Sequence, residues 1–282
     1  MNNHQVLVNQ LIDLAISEDI GDGDHTSLAC IPSKAHGEAR LLIKEEGIIA
    51  GIELAKLVFD KIDSSLVFTQ VINDGDFVKN NDVAFYVEGS SQSILKAERL
   101  ALNFMQRMSG IATKTNSYVQ LISDLPTKIL DTRKTTPGNR IIEKWAVQLG
   151  GGVNHRMGLY DMIMIKDNHI DYAGGIENAI NKVVDYLKNN NKTLKIEIEA
   201  RDLNELDEIL KVGKVHRIML DNFSFDDMRK AVQLIGGKYE TEASGGITEK
   251  TIRDYAKCGV DYISVGALTH QINSLDLSLK AI

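Results

Sequence analysis

Residues 127–149 read TKILDTRKTTPGNRIIEKWAVQL, and this stretch decides the fold class. The short apolar run TKIL predicts a buried strand, and IIEKWAVQL has the apolar spacing of a helix. Pro137 and Gly138 break the chain between them, so Arg133 and Lys134 fall on a strand-to-helix loop. In α/β barrels, the loops at the carboxyl ends of the strands carry the active site. Two adjacent cations on such a loop predict a site for an anionic small molecule.

The same alternation of strand and helix continues through the rest of the chain. Further short apolar runs are separated by stretches with helical spacing, and a seventh strand is expected near Val153. These runs are MIMIK (162–166), LKIEIE (194–199), RIMLD (217–221), ETEAS (240–244) and YISVG (262–266). This repeated strand–helix order is typical of a parallel sheet or barrel.

The first 95 or so residues have a different, mixed α+β pattern. Residues 55–62 have helical spacing, and residues 66–72 and 83–89 are rich in the β-branched and aromatic residues of strands. The N-terminal segment predicts an amphipathic helix with its apolar face formed by Leu7, Leu11, Leu14 and Ala15. A second, long helix is predicted over residues 94–110, with Gly110 as its C-cap.

Composition excludes several classes of protein. The net charge of −7 over 282 residues argues against a general nucleic-acid binder, and no apolar stretch has the length of a membrane span. The N-terminus lacks the basic region of a secretory signal, so we expect a cytoplasmic protein. Cys30 and Cys258 are far apart in the sequence, which favours small buried roles in a reducing compartment.

Each predicted strand of the second region ends in polar residues or in glycine. If the strands are parallel, these ends meet on one rim and form a site. The strand-end residues are Asp131, Lys166, Glu199, Asp221, Asn222, Ser244, Gly245, Gly246, Gly266 and Ala267.

The cations of this rim form the first candidate group. Each one alone is usually a surface salt-bridge partner, but here they recur at strand ends and beside the glycine-rich run 150–158. Arginine binds carboxylates and phosphates with two parallel hydrogen bonds, and lysine supplies a point charge. The group comprises Arg133, Lys134, His155, Arg156 and Lys166, with Arg99 and Arg140 as further candidates.

Two carboxylates and two small-residue turns complete the candidate site. Glu199 and Asp221 end apolar strands, where a carboxylate needs a cation or a metal, so Mg²⁺ and a salt bridge to Lys166 both stay open. Glu197 shares the face of Glu199 by strand alternation. The turns SGG (244–246) and VGA (265–267) are suited to a phosphate group, because they follow the last two strands.

Taken together, these motifs resemble the quinolinate phosphoribosyltransferase family along nearly the whole chain. The resemblance is carried by long runs that occur in the family's order, with no departure at a motif position. They are EDIGDGDHTS (18–27), AERLALNFMQRMSGIAT (97–113), DTRKTTPG (131–138), GGGVNHRMGLYDMIMIKDNHI (150–170), EIEA (197–200), MLDNFS (219–224), EASGGI (242–247) and VGALTH (265–270).

The resemblance implies a particular α/β fold and assembly. It implies an N-terminal α/β sandwich domain plus an open seven-stranded α/β barrel of the type II phosphoribosyltransferase kind. The sandwich is expected over residues 1–112, joined by the tail 271–282, and the barrel over residues 113–270. A homodimer or a hexamer built as a trimer of dimers is expected, with Arg99 of one subunit reaching the site of its neighbour.

The resemblance also implies the reaction and the residue roles. The family transfers phosphoribosyl from 5-phosphoribosyl 1-pyrophosphate to quinolinate, with Mg²⁺ as cofactor, and releases pyrophosphate and CO₂ to give nicotinate mononucleotide for NAD biosynthesis. Lys134, Lys166, Glu199 and Asp221 are implied to be catalytic, with Glu199 and Asp221 facing the ribose and Mg²⁺, directly or through water. The substrate-binding set is Arg99, Thr132, Arg133, Lys134, His155, Arg156, Lys166, Glu199, Asp221, Ser244, Gly245, Gly246, Val265, Gly266 and Ala267.

Three other functions stay open from the sequence. A phosphoribosyltransferase on the same scaffold could act on another nitrogen base, although a monocarboxylate would need only one of Arg133 and Arg156. Lys166 at a strand end could instead form a Schiff base, as in a lyase. A non-catalytic metabolite-binding protein is disfavoured by the complete set of rim residues.

Overall fold

The computed structural model describes residues 3–282, which form two compact units. The first unit contains the described residues up to 116 together with 135–151 and 267–282, and the second contains residues 117–134 and 152–266. The predicted domain limits of 1–112 and 113–270 stay a prediction. None of the helices in the described part of the chain is long and apolar enough to cross a membrane.

The first unit is built around an antiparallel sheet. Its four strands lie in the order β12-β1-β5-β3, and a two-stranded ribbon pairs β2 with β4. In chain order its elements are α1 (Asn3–Ile20), α2 (His25–Cys30), β1 (His36–Ile43), β2 (Gly47–Ile48), α3 (Ile52–Ile62), β3 (Val67–Gln70), β4 (Phe77–Val78), β5 (Val83–Ser90), α4 (Ser91–Leu121), α5 (Arg140–Leu149), α11 (Ala267–His270) and β12 (Leu277–Ala281). The α4 helix runs on into the second unit.

The final strand of the chain belongs to this first sheet. β12 pairs antiparallel with β1, with Ala39 opposite Ala281 and Ile43 opposite Leu277. The buried core between the sheet and its helices includes Phe59 and Phe85, whose rings meet edge to face.

Three expectations for the first unit are wrong. The α4 helix does not end at Gly110 but continues to Leu121. Gly110 is not a C-cap there; its missing side chain makes room for another segment of the chain. A Cβ at Gly110 would lie 2.2 Å from the carbonyl oxygen of Asn273. The buried face of α1 is formed by Val8 and Ile12, whereas Leu7 and Leu14 are exposed. Cys30 is also exposed, whereas Cys258 is buried as expected.

The second unit is a parallel α/β sheet of six strands, in the order β6-β11-β10-β9-β8-β7. Its elements are β6 (Lys128–Leu130), β7 (Ile163–Ile165), α6 (Asp167–Ala173), α7 (Ile176–Asn189), β8 (Ile196–Ala200), α8 (Leu203–Val212), β9 (Arg217–Asp221), α9 (Phe225–Ile235), β10 (Glu240–Ser244), α10 (Ile252–Ala256) and β11 (Tyr262–Ser264). All six predicted strands are confirmed, because apolar runs bounded by polar turns are a strong strand signal.

The strand order is that of an open barrel. Consecutive strands from β7 to β11 are neighbours, and the first strand, β6, pairs with the last, β11. The expected seventh strand is reduced to one parallel bridge from Val153 to Leu130, on the side of β6 opposite β11. Since the strands are parallel, their carboxyl ends share one rim, as the sequence predicts.

Candidate active site

The rim of the second unit carries most of the predicted site residues. The residues that follow or end its strands are Thr132, Arg133 and Lys134 after β6, Lys166 after β7, Glu199 within β8, Asp221 at the end of β9, Ser244, Gly245 and Gly246 at and after β10, and Val265 and Gly266 after β11. His155 and Arg156 follow the Val153 bridge. Arg99 on α4 and Ala267 at the start of α11 belong to the first unit, where the Arg99 side chain is exposed.

The loop after β6 presents two cations in different settings. The Thr132 hydroxyl accepts a hydrogen bond from the Lys134 backbone N–H at 3.0 Å, which folds the loop tightly. Arg133 is partly buried and Lys134 is exposed. Burial and the nearby positive charge of Arg133 lower the pKa of Arg156. Like charges brought together in this way make the region favourable for an anion.

Lys166 and Glu199 form an ion pair across neighbouring strands. The Lys166 Nζ lies 3.4 Å from Oε2 of Glu199, whose side chain is almost fully buried. Burial raises the pKa of the Glu199 carboxyl, the Lys166 charge opposes this shift, and the charge of Asp221 adds to it. The backbone N–H of Lys166 donates to His169 Nδ1 at 3.0 Å, so the start of α6 fixes the residue that bears the amine.

The ends of β9 and β10 lock together around Asp221. Asp221 and Ser244 are partners in the strand register, and the Ser244 hydroxyl donates to the Asp221 carboxylate. The Asn222 side-chain amide donates to the other oxygen of Asp221 at 2.6 Å. Gly245 has a φ of +97°, and a Cβ there would lie 2.1 Å from Oδ1 of Asn222, so only glycine fits.

The turn after β11 is partly committed to the sheet. The Val265 N–H donates to the Leu130 carbonyl at 3.0 Å, so it is already used in strand pairing. The Val265 N–H is therefore not available to a ligand.

His155 lies in a buried charged cluster beneath the rim. Its Nε2 is 3.0 Å from Oε2 of Glu197 and 3.4 Å from Oε2 of Glu242. Arg217 Nη1 donates to Oε2 of Glu242 at 3.2 Å. Burial alone would lower the pKa of His155, but the Glu197 and Glu242 carboxylates raise it to about 9. Glu242 and Arg217 were not among the predicted site residues. A charged residue within a predicted apolar strand is the signal that could have identified them.

Two sets of residues in the described part of the chain offer metal ligands. His155, Glu197 and Glu242 place three ligand atoms within 4.8 Å of one another. Arg217 already neutralises these carboxylates, so this cluster is better suited to ion pairing than to a cation. Glu199 and Asp221 offer carboxylate oxygens on neighbouring strands, which are the donors that Mg²⁺ prefers. These two residues fit a Mg²⁺ ion held by few protein ligands.

Family models match almost all of the chain. The model of the quinolinate phosphoribosyl transferase N-terminal domain matches residues 24–109, and that of the C-terminal domain matches residues 111–280.

Individual relatives agree with the family models. A quinolinate phosphoribosyltransferase [decarboxylating] 1b of Nicotiana tabacum is 48% identical over 96% of this chain and 81% of its own length. A chloroplastic nicotinate-nucleotide pyrophosphorylase [carboxylating] of Arabidopsis thaliana is 47% identical with the same coverage. The solved nicotinate-nucleotide pyrophosphorylase of Francisella tularensis superposes with a TM-score of 0.92 and 42% identity, covering 98% of this chain and 96% of that one. The chain belongs to the quinolinate phosphoribosyltransferase family.

Proposed function

We propose that this protein transfers phosphoribosyl from 5-phosphoribosyl 1-pyrophosphate to quinolinate, with decarboxylation to nicotinate mononucleotide. The observation that carries the proposal is the single rim where Arg133, Arg156 and Lys166 lie with Glu199 and Asp221. Both substrates carry several negative charges, and a cation-lined mouth in an acidic chain attracts them.

The two arginines are assigned to quinolinate. The guanidinium groups of Arg133 and Arg156 are close enough for one to lower the pKa of the other, so a dicarboxylate between them relieves their repulsion. Thr132 fixes the loop that bears Arg133, and the ion pair with Glu197 anchors His155, the residue before Arg156. The substrate contact first expected of His155 is thus proposed to be indirect.

Lys134 and Lys166 are assigned to phosphoribosyl pyrophosphate. Lys134 is exposed on its loop, where its ammonium can neutralise the departing pyrophosphate. The Lys166 Nζ lies 3.4 Å from Oε2 of Glu199 in an ion pair. A Schiff-base lyase would use this nitrogen as a nucleophile, so its contact with the Glu199 carboxylate argues against that alternative.

Glu199 and Asp221 are assigned to the ribose hydroxyls and to Mg²⁺. Bound Mg²⁺ supplies positive charge that stabilises the leaving pyrophosphate. The turn 244–246 is assigned to the 5-phosphate, because Gly245 and Gly246 have positive φ and let the backbone approach a ligand. Gly266 and Ala267 are assigned to the same phosphate, because they follow β11, the neighbour of β10 in the sheet. Val265 positions the turn 265–267 through its bond to Leu130.

The chemistry needs positioning and charge more than proton transfer. The pyridine nitrogen attacks C1 of the ribose as pyrophosphate leaves, and the cationic rim stabilises the charge that develops on the leaving group. The ring nitrogen then carries a positive charge. This charge stabilises the electron pair that stays on C2 when the 2-carboxylate departs as CO₂, and C2 then takes up a proton from water to give nicotinate mononucleotide.

We further propose a homodimer or a hexamer in which Arg99 completes the neighbouring subunit's site, acting in the cytoplasm. Arg99 on α4 is exposed, which suits a residue that reaches outward. Subcellular fractionation of the source cells tests the location, and sedimentation of the purified protein tests the assembly.

The reaction is tested by incubating the purified protein with Mg²⁺, phosphoribosyl pyrophosphate and quinolinate. We expect nicotinate mononucleotide by mass spectrometry, and a much lower yield when nicotinate replaces quinolinate. Product from nicotinate alone would assign the protein to a different nitrogen base.

A further inference from the structure

Arg107 and Glu143 form a buried ion pair that no step of the reaction uses. Glu143 on α5 is completely buried, and Arg107 on α4 is mostly buried. The Arg107 Nε and Nη2 both donate to Oε1 of Glu143, at 2.9 and 2.6 Å. A charge pair inside a protein costs desolvation energy, and apolar residues of similar volume often stabilise the protein equally well. The pair therefore calls for an explanation beyond stability.

Both residues of the pair bind Thr136, which lies on the loop that carries Lys134. The Arg107 Nη2 donates to the Thr136 hydroxyl at 2.8 Å, and the Thr136 backbone N–H donates to Oε2 of Glu143 at 3.2 Å. Thr136 lies two residues after Lys134 in the chain. Its side chain and its backbone are thus both fixed by the same two charged residues.

The same guanidinium also reaches the second ligand-binding segment. The Arg107 Nη2 lies 3.4 Å from the carbonyl oxygen of Thr269, which it contacts as a donor. Thr269 is on α11, the short helix that begins at Ala267, one of the proposed phosphate contacts. One planar group therefore contacts a carboxylate, a hydroxyl and a carbonyl on three different segments.

We propose that Arg107 and Glu143 are positioning residues that set the geometry of the Thr132–Gly138 loop and of α11 together. This inference rests on the proposed function, since it assigns those two segments to the substrates. A fork with fixed geometry suits this role, because a lysine ammonium cannot reproduce several donors in one plane. Loss of the fork lets both segments move, which weakens the binding of both substrates at once.

The test compares two variants of the pair with a matched control. Arg107→Lys keeps the charge and removes the fork. Arg107→Met combined with Glu143→Leu removes both charges, so no buried carboxylate is left unpaired if the first variant folds poorly. The control is Arg253→Lys, since Arg253 also forks onto a carboxylate, Asp124, and contacts a carbonyl, that of Leu121.

Two readouts are measured on each full-length protein. Steady-state kinetics give KM for quinolinate and for phosphoribosyl pyrophosphate, and hydrogen–deuterium exchange reports on the backbone of residues 131–139. We expect both KM values to rise at least tenfold in the Arg107 variants, with faster exchange in this segment. The control is expected to stay within twofold of the wild type.

A purely structural pair would lower the unfolding midpoint while leaving both KM values and the local exchange unchanged, and that result overturns the inference. If the wild type and the control form no product, the proposed function fails. The exchange measurement then decides this inference alone, since unchanged exchange in both Arg107 variants contradicts it.

Discussion

At the residue scale, the cations of the site differ in how strongly their role depends on the shape of the side chain. Arg156 is partly buried beside the charge of Arg133, whereas Lys134 is exposed. The first is suited to gripping a carboxylate, and the second to following a charge that moves during the reaction. Substitutions at these two positions are therefore expected to affect different kinetic constants.

Arg156→Lys is expected to raise KM for quinolinate by about tenfold with a smaller change in kcat, because a point charge replaces a two-bond contact. Initial rates over a range of quinolinate concentrations measure this change. Arg229→Lys, on the exposed surface of α9, is the control. An unchanged KM in the Arg156 variant would show that this residue does not hold a carboxylate.

Lys134→Ala is expected to lower kcat by about 10²- to 10³-fold, since the departing pyrophosphate loses a stabilising charge. The protein should stay folded, because the Lys134 side chain is exposed. Lys128→Ala is the control, since Lys128 is exposed at the opposite end of β6. Near-normal turnover by Lys134→Ala would remove this residue from the mechanism.

His155 should make the stability of the protein depend on pH. The Glu197 and Glu242 carboxylates raise its pKa in the folded state to about 9, above the unfolded value of about 6.5. Burial and the charge of Glu242 raise the pKa of Glu197 to about 7, so Glu197 is charged and pairs with His155 above that pH. The stabilising effect of His155 is lost as the pH rises through 9. The wild type should exceed His155→Gln in unfolding free energy by about 2 kcal/mol at pH 7.5, and the gap should shrink by pH 10. Urea unfolding over this pH range measures the gap, and a gap independent of pH contradicts the assignment.

At the scale of the element, the sequence predicts the strands of the barrel well and the partners of its buried charges poorly. Short apolar runs mark β6 to β11, and the middle strands β8, β9 and β10 are buried on both faces. Glu242 and Arg217 were missed because their contacts arise between neighbouring strands, and one chain read alone does not give their register. The end of α4 was misread because glycine marks both helix ends and close contacts.

Gly110→Ala tests that second use of glycine. Alanine favours helices, so a glycine needed only for a cap or for flexibility would be replaced with little cost. Because the new Cβ would lie 2.2 Å from the Asn273 carbonyl oxygen, we expect a loss of about 1–3 kcal/mol instead. Thermal or urea unfolding measures this loss, with Gln120→Ala on an exposed position of α4 as the control. A more stable Gly110→Ala protein would disprove the close contact.

At the scale of the whole molecule, the active sites are proposed to be shared between subunits. Arg99→Ala is expected to abolish activity if its guanidinium completes a neighbour's site. Mixing this variant with Lys134→Ala and allowing subunits to exchange should then restore part of the activity, since some mixed sites contain both wild-type residues. No recovery after verified exchange would place Arg99 in its own subunit's site or outside the mechanism.

The reaction itself is tested most directly by following both leaving groups in one assay. The purified protein is given Mg²⁺, phosphoribosyl pyrophosphate and quinolinate labelled in its 2-carboxylate, and labelled CO₂ and pyrophosphate are measured over time. The proposed function predicts equal release of the two. Pyrophosphate without CO₂, or neither product, would contradict it.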